Sequence, residues 1–263
     1  MEPTPTTTDA MAMPALKLIY LGASVEYTIG EPTKSHSLAH PPHPHPDLHP
    51  HPSVDHHYWR AECTRLALTI ADVPFEDARM SYEEMYRSGA LTFGTFPALV
   101  VGGKGVINQT QAIARYVGSL TGLYPSDPFL SAKCDEAIDA LTDVSELVTA
   151  TMQERDPQRK IQWRKMLIAP DGRMTMLLNG IESLLKQNGA SPVPFVAGAS
   201  LSVADLALWR AVGWLSSGVI DGVPVTYVSS MFPLLWALHL AVDQYPKVVA
   251  WKAQHPHQYA RKR

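Results

Sequence analysis

From Phe93 to Tyr116 the chain runs FGTFPALVVGGKGVINQTQAIARY, and few folds accommodate that order of residue types. Pro97 opens a short apolar strand, Ala98 to Val101. Gly102, Gly103 and Gly105 then permit a tight reversal, because glycine takes positive φ without a Cβ clash. Val106 and Ile107 return as a second strand, and Asn108-Gln109-Thr110 leads into a helix. Ala112, Ile113, Tyr116, Val117 and Leu120 are the expected buried face of that helix. A hairpin that delivers polar residues to a helix N-terminus suits a carboxylate ligand, since free N–H groups and the helix dipole both point there.

The rest of the chain narrows the class. At 263 residues, 46% hydrophobic and 18% charged, it suits two packed units or one large one with a sizeable core. A net charge of −3 gives no footprint for nucleic acid or an anionic membrane surface. The 2 cysteines, Cys63 and Cys134, form neither a disulfide framework nor a metal-ligand spacing. The N-terminus lacks a secretory pattern, and the longest apolar run, Met231 to Val242, is broken by Pro233 and His239. A soluble, cytoplasmic protein is expected.

Residues 1–13 are Thr/Pro-rich and expected to be disordered. Leu16 to Leu21 is a strand candidate ending at Gly22. Between Gly30 and His57 lie 8 of the 11 histidines, interleaved with prolines. Pro-His alternation excludes a helix or central strand, so residues 30–57 are expected to form a solvated, polyproline-like loop inserted into a folded domain. Imidazoles can hold Zn, Cu or Ni. Irregular spacing and the prolines favour only adventitious metal uptake, so no metal requirement is expected.

Order is expected to resume with a helix over Arg60 to Ala71, a strand over Phe75 to Arg79, and a short acidic helix near Ser81 to Tyr86 before the hairpin. Beyond the turn residues Gly122, Pro125, Asp127 and Pro128, every segment is expected to be helical. Ser202-Val203-Ala204-Asp205 forms a capping box for a helix to Leu215, and Pro170-Asp171-Gly172 marks either a break or the boundary of two helices. The fold class expected is an α/β domain, residues 14–121, followed by an all-helical domain, residues 129–255, with a basic tail at 256–263.

Four stretches together resemble the cytosolic glutathione transferases: Arg60-Ala61-Glu62 with Arg65-Leu66; Phe93-Gly94-Thr95-Phe96-Pro97-Ala98-Leu99; Asn108 through Tyr116; and Phe195-Val196-Ala197-Gly198 through Asp205. Tyr245-Pro246 to Trp251 is also similar to that family's last helix. The resemblance implies a thioredoxin-like domain holding glutathione as co-substrate, a helical domain shaping the site for a hydrophobic electrophile, and a homodimer. A tyrosine-type, sigma-like class is the nearest guess.

The chemistry such a protein needs is thiol activation. An ordinary thiol near pKa 8.5 is mostly protonated at neutral pH, and the thiolate is the nucleophile. Each unit of pKa lowering corresponds to about 1.4 kcal/mol of preferential stabilisation. By resemblance, the Tyr20 hydroxyl would donate to the thiolate. Gln109 and Thr110 would bind the γ-glutamyl carboxylate. Phe96, before a cis Pro97, would present its backbone to the cysteinyl part. Asp143 would reach the γ-glutamyl amine across the dimer.

Three departures are visible. The loop after Tyr20 is swollen, which makes Ser24, Tyr27 and Tyr58 alternative hydroxyl donors. The Trp and Lys usual before the cis-proline loop have no match, so Arg87 would replace the Lys toward the glycyl carboxylate. Cys63-Thr64 stands where a proline is common. The function expected is conjugation of glutathione to hydrophobic electrophiles. A non-catalytic ligand-binding member, or a glutathione-dependent isomerase or peroxidase, are the alternatives.

Overall fold

The computed structural model describes residues 13–21, 60–187 and 195–259. The expected insertion at 30–57, and Ser24, Tyr27 and Tyr58, lie outside the described residues. The first half contains β1 (Leu16–Leu21), α1 (Glu62–Ile70), β2 (Glu76–Met80), α2 (Tyr82–Arg87), β3 (Ala98–Val101), β4 (Gly105–Asn108) and α3 (Thr110–Thr121). The four strands make one mixed sheet in the order β2-β1-β3-β4, with β1 parallel to β2 and the other pairs antiparallel.

Alternation along β1 sorts its side chains into two cores. Leu16, Leu18 and Tyr20 join the large core under α1 and α3, while Ile19 packs with Met85, Ala90, Leu91 and Ala98 on the opposite face. The β1–β3 ladder runs from Leu16–Val101 to Ile19–Ala98. Its next position would involve Pro97, which has no N–H to donate. Tyr20 therefore stands at the end of the antiparallel pairing while β2 still holds it opposite Arg79.

Local chemistry sets the helix starts. Ser81 accepts from the Glu84 N–H and Glu84 reaches back to the Ser81 N–H, a reciprocal cap on α2. Asp127 and Asp156 cap two helices that both begin with proline: α4 (Pro128–Met152) and α5 (Pro157–Leu167). The Pro170-Asp171-Gly172 segment separates α5 from α6 (Arg173–Gln187), which settles that boundary as two helices.

The second half continues with α7 (Val203–Leu215), α8 (Tyr227–Met231), α9 (Pro233–Asp243), α10 (Pro246–Gln254) and α11 (Pro256–Tyr259). Helix α8 fits the expectation of a helical second half, and α11 carries helical structure past residue 255. None of the described helices is long and apolar enough to cross a membrane.

Helix α7 is the axis of this half, buried along most of its length and packed against α1, α3, α4 and α9. Its capping box is formed as expected. The buried Asp205 carboxylate accepts from the Ser202 N–H and hydroxyl, at 2.7 Å each, and from the Val196 N–H at 2.8 Å.

The α3 face differs from expectation. Ile113 and Val117 are buried and Tyr116 and Leu120 pack half-buried on the same core as expected, but Ala114 and Gly118 are buried as well and Ala112 is exposed. The reason is the approach of α7: a Cβ at Gly118 would lie 2.9 Å from both Val203 methyl groups. The closest part of the helix–helix contact is thus made by a residue with no apolar signature.

Candidate active site

The N-terminus of α3 opens onto a cavity of about 120 Å³ at the seam between the two halves. Gln109, Thr110 and Gln111 line one side of it. Gln109 occupies the N-cap position at φ 72°, ψ 122°, left-handed backbone that a non-glycine residue rarely adopts, and makes no side-chain cap. The first intrahelical bond runs from the Ile113 N–H to the Gln109 carbonyl at 3.0 Å, which leaves the N–H groups of the first turn outside the helical ladder. Open donors and a positive dipole end therefore face the cavity, an arrangement suited to a carboxylate. Asn108 is committed elsewhere: its amide donates to the Ala90 carbonyl and accepts from the Thr92 N–H, both at 2.9 Å, and ties the loop before the cis bond to β4.

The opposite side comes from the helical half. Ile138, Leu141, Thr142, Ser145 and Glu146 lie on one stripe of α4 at i, i+3, i+4, i+7 and i+8, and all line the cavity. Gln111 donates to Thr142 at 2.5 Å and Arg115 pairs with Asp135 at 2.7 Å, so α3 and α4 are pinned together at this seam. Ala207 and Arg210 complete the wall from α7, while Arg60 and Cys63 come from the start of α1.

Tyr20 sits behind this wall. Its ring is buried, and its hydroxyl proton finds no acceptor among the described residues. Burial pushes the hydroxyl up to about 12, against the opposing pull of the nearby Arg65, Arg60 and Arg210 charges. At neutral pH it is therefore a protonated donor. Arg65 lies over the Tyr20 ring at 5.5 Å and is itself held by Glu62 at 3.1 Å and Asp77 at 3.0 Å. The Phe96–Pro97 bond beside it is cis. Arg210 is driven down to about 10, by burial first and then by the like charge of Arg60. The buried Cys63 thiol donates to the Val203 carbonyl, and burial pushes it up to about 12, which makes it inert as a nucleophile at neutral pH.

Of the residues singled out in the sequence, Gln109 and Thr110 line the cavity, and Tyr20, Phe96 and Pro97 cluster at the end of β1. Two lie apart. Asp143 is on the exposed face of α4, off the stripe that lines the cavity; Glu146 takes the cavity side instead. Arg87 is 76% exposed at the end of α2 and bonds Glu83 at 2.5 Å across one helical turn.

Arg60 and Arg210 received no role from the sequence. The signal for Arg210 was present as the lone basic residue in the otherwise apolar stretch Leu206 to Leu215. Phe93, a candidate for either core or a subunit contact, is not core: it is 64% exposed. No group of three metal-ligating side chains occurs among the described residues.

The glutathione S-transferase N-terminal domain model matches residues 54–119, and the glutathione S-transferase C-terminal domain model matches residues 142–255. The chain is 29% identical over 193 residues to glutathione S-transferase A4 of Mus musculus, covering 72% of this chain and 81% of the mouse protein. It is 25% identical over 201 residues to hematopoietic prostaglandin D synthase of Gallus gallus, covering 75% of this chain and 92% of the chicken protein. In fold it resembles the structure of prostaglandin synthase D of Nilaparvata lugens, with TM-score 0.66 and 22% identity over 92% of this chain and 99% of that one. Both domains are matched in the expected order, on either side of the seam that holds the cavity, and the chain belongs to the glutathione S-transferase family.

Proposed function

We propose that this protein conjugates glutathione to hydrophobic electrophiles, with glutathione seated at the N-terminus of α3. The observation that carries the reading is the joint lining of one cavity by Gln109 and Thr110 on one side and by α4 and α7 on the other. Gln109 and Thr110 bind the γ-glutamyl carboxylate through side chains and the Thr110 N–H. The Phe96 backbone, set by the cis bond, pairs with the cysteinyl part.

In this reading the Tyr20 hydroxyl stabilises the thiolate. A buried, protonated hydroxyl whose proton has no acceptor among the described residues is a donor in waiting, since an unmade buried hydrogen bond costs about 1–3 kcal/mol that an incoming anion recovers. The thiolate then attacks the electrophile. A homodimer accompanies this reading, and the exposed Phe93 is the natural anchor for the second subunit. The exposed pair Arg87–Glu83 frees Arg87 for the glycyl carboxylate at little cost, because an exposed ion pair contributes about 0–1 kcal/mol.

A second reading, glutathione-dependent isomerisation, is supported by the similarity to two proteins named as prostaglandin D synthases. The decisive experiment combines retention on immobilised glutathione with turnover of 1-chloro-2,4-dinitrobenzene. Retention with turnover supports the transferase, and retention without turnover supports isomerisation or a non-catalytic binder. Failure of the protein to bind glutathione at all overturns the proposal.

A further inference from the structure

Arg65 is clamped in the core at a place where its charge can reach the proposed thiol donor. It stands one turn beyond Glu62 on α1, and its side chain is 2% exposed. Nη1 donates to Glu62 at 3.1 Å and Nε to Asp77 of β2 at 3.0 Å, so the guanidinium is held between helix and sheet. Nη2 is also buried and has no hydrogen-bond partner among the described residues. A cation kept only for stability gains nothing from leaving a buried N–H uncommitted. The clamp instead sets the group over an aromatic ring, with Cζ 5.5 Å from the Tyr20 centroid. The charged groups around this corner are Arg60, Glu62 and Arg65 near the start of α1, Asp77 and Arg79 on β2, and Arg210 on α7. Burial raises the Tyr20 hydroxyl, and among the charges that oppose it Arg65 pulls hardest, ahead of Arg60 and Arg210.

We propose that Arg65 is a positioning residue that acts through the Tyr20 ring and makes the Tyr20 hydroxyl a stronger hydrogen-bond donor. The inference rests on the transferase reading, in which that hydroxyl donates to the glutathione thiolate. As the O–H donates, negative charge builds on the phenol oxygen and spreads into the ring. A cation over the ring stabilises that charge. The thiolate then receives a stronger bond, and the thiol pKa falls. No proton leaves Tyr20 and no bond changes at Arg65. The two carboxylates on Arg65 have different parts. Glu62 holds the guanidinium from inside the core, whereas Asp77, whose side chain is 22% exposed, offsets part of its charge.

The test uses the full chain and reads the thiol pKa of bound glutathione, from the ultraviolet absorbance of the thiolate against pH. Arg65→Met is expected to raise that pKa by about one unit, a tenfold loss of thiolate at any pH well below it. Arg65→Lys keeps a cation near the ring and is expected to recover part of the shift. In a Tyr20→Phe background, Arg65→Met is expected to move the thiol much less, because the hydroxyl that carries the effect is gone. If Arg65→Met does not fold, Asp77→Asn reads the same device with the opposite sign. It leaves Arg65 held by Glu62, removes the offsetting charge, and is expected to lower the thiol pKa. That comparison is made in an Arg79→Met background, because Arg79 also bonds Asp77 and would otherwise be released.

An unchanged thiol pKa in folded Arg65→Met overturns the proposal. So does a shift of equal size with and without the Tyr20 hydroxyl, because the charge would then act on the sulfur directly. In the Asp77 comparison, an unchanged or raised pKa does the same. Should the wild type bind no glutathione, the transferase reading fails separately. The same variants, grown with ring-fluorinated tyrosine, then report on the Tyr20 hydroxyl alone by fluorine NMR, its resonance assigned by its absence from Tyr20→Phe. Ionisation of Tyr20 at higher pH in Arg65→Met, or at lower pH in Asp77→Asn, supports the action of Arg65 on the hydroxyl, and equal titration overturns it.

Discussion

The Tyr20 ring meets the Phe96 ring edge-on, with centroids 5.3 Å apart and planes inclined by 81°. That contact joins the end of β1 to the residue before the cis bond, so the proposed thiol donor and the proposed cysteinyl seat are positioned by each other. The hydroxyl proton has no acceptor among the described residues, while the ring is held by Phe96 and approached by the Arg65 guanidinium. Tyr20→Phe keeps the ring contact and removes only the hydroxyl. Turnover is expected to fall about tenfold to a thousandfold, the range for removing one donor to a developing anion. Thermal stability is expected to be unchanged or slightly higher, because a buried unsatisfied group disappears. Steady-state kinetics and a melting curve on the same preparation check both. Unchanged turnover would remove Tyr20 from the mechanism.

Much of this fold is legible in residue order because its signals are local. The short apolar run Leu16 to Leu21, proline and glycine around Ala98 to Val101, and the Ser202/Asp205 box each act over a few residues. The Ser81/Glu84 box was equally local and equally present in the sequence. What the sequence obscures is tertiary. The buried stripe of α3 is rotated onto Gly118, since α7 approaches there and glycine carries no apolar mark. Asp143 and Glu146 are both acidic residues of α4, and only the packing of α4 on α3 decides that Glu146 faces the cavity. The charges around Tyr20 come from Arg60, Arg65 and Arg210, and no spacing in the sequence brings the third to the other two.

Asp205 is expected to give stability an unusual pH dependence. Burial raises its carboxyl to about 6 despite three donors. With the folded value above the unfolded one, the folded state binds the extra proton between about pH 4 and 6, so this group's contribution declines as pH rises through that window. The decline is on the order of 3 kcal/mol. Asp205→Asn, which has no such titration, should show its largest deficit relative to wild type near pH 4 and a smaller one at pH 7. Asp205→Ala leaves the donors of Val196 and Ser202 without an acceptor and should cost about 3–5 kcal/mol at any pH. Urea unfolding at a series of pH values checks both, and a deficit of Asp205→Asn that grows toward pH 7 would refute the sign.

Glu62 connects the C-terminal helices to the neighbourhood of Tyr20. Its buried carboxylate accepts from Arg65, from the Trp251 indole at 2.9 Å, and from the Tyr259 hydroxyl. Replacing it by Gln leaves the buried Arg65 charge with Asp77 as its remaining ion-pair partner among the described residues and sets a new amide donor against existing donors. A loss of about 3–5 kcal/mol is expected. Because Arg65 sits over the Tyr20 ring, kcat should fall with Glu62→Gln even at temperatures where the variant is fully folded. Kinetics below the unfolding transition, paired with a melting curve, separate the two effects.

Gly118 tests the α3–α7 contact directly. In an exposed helix, glycine to alanine gains about 1 kcal/mol of helix propensity. Here the new methyl group would meet the Val203 side chain at 2.9 Å and the Tyr124 Cβ at 3.0 Å. Val203 is fully buried, and its N–H is bonded to the Leu123 carbonyl at 2.8 Å, so it has little room to yield. Overpacking of this kind costs about 1–3 kcal/mol, enough to cancel the propensity gain and leave a net loss. Gly118→Ala is therefore expected to lower the midpoint of urea unfolding. Gly180, on α6, has nothing within 4 Å of its would-be Cβ, so Gly180→Ala should raise that midpoint. Opposite signs at two helical glycines isolate packing from propensity, and a stabilised Gly118→Ala would mean that α3 and α7 separate more easily than their contact implies.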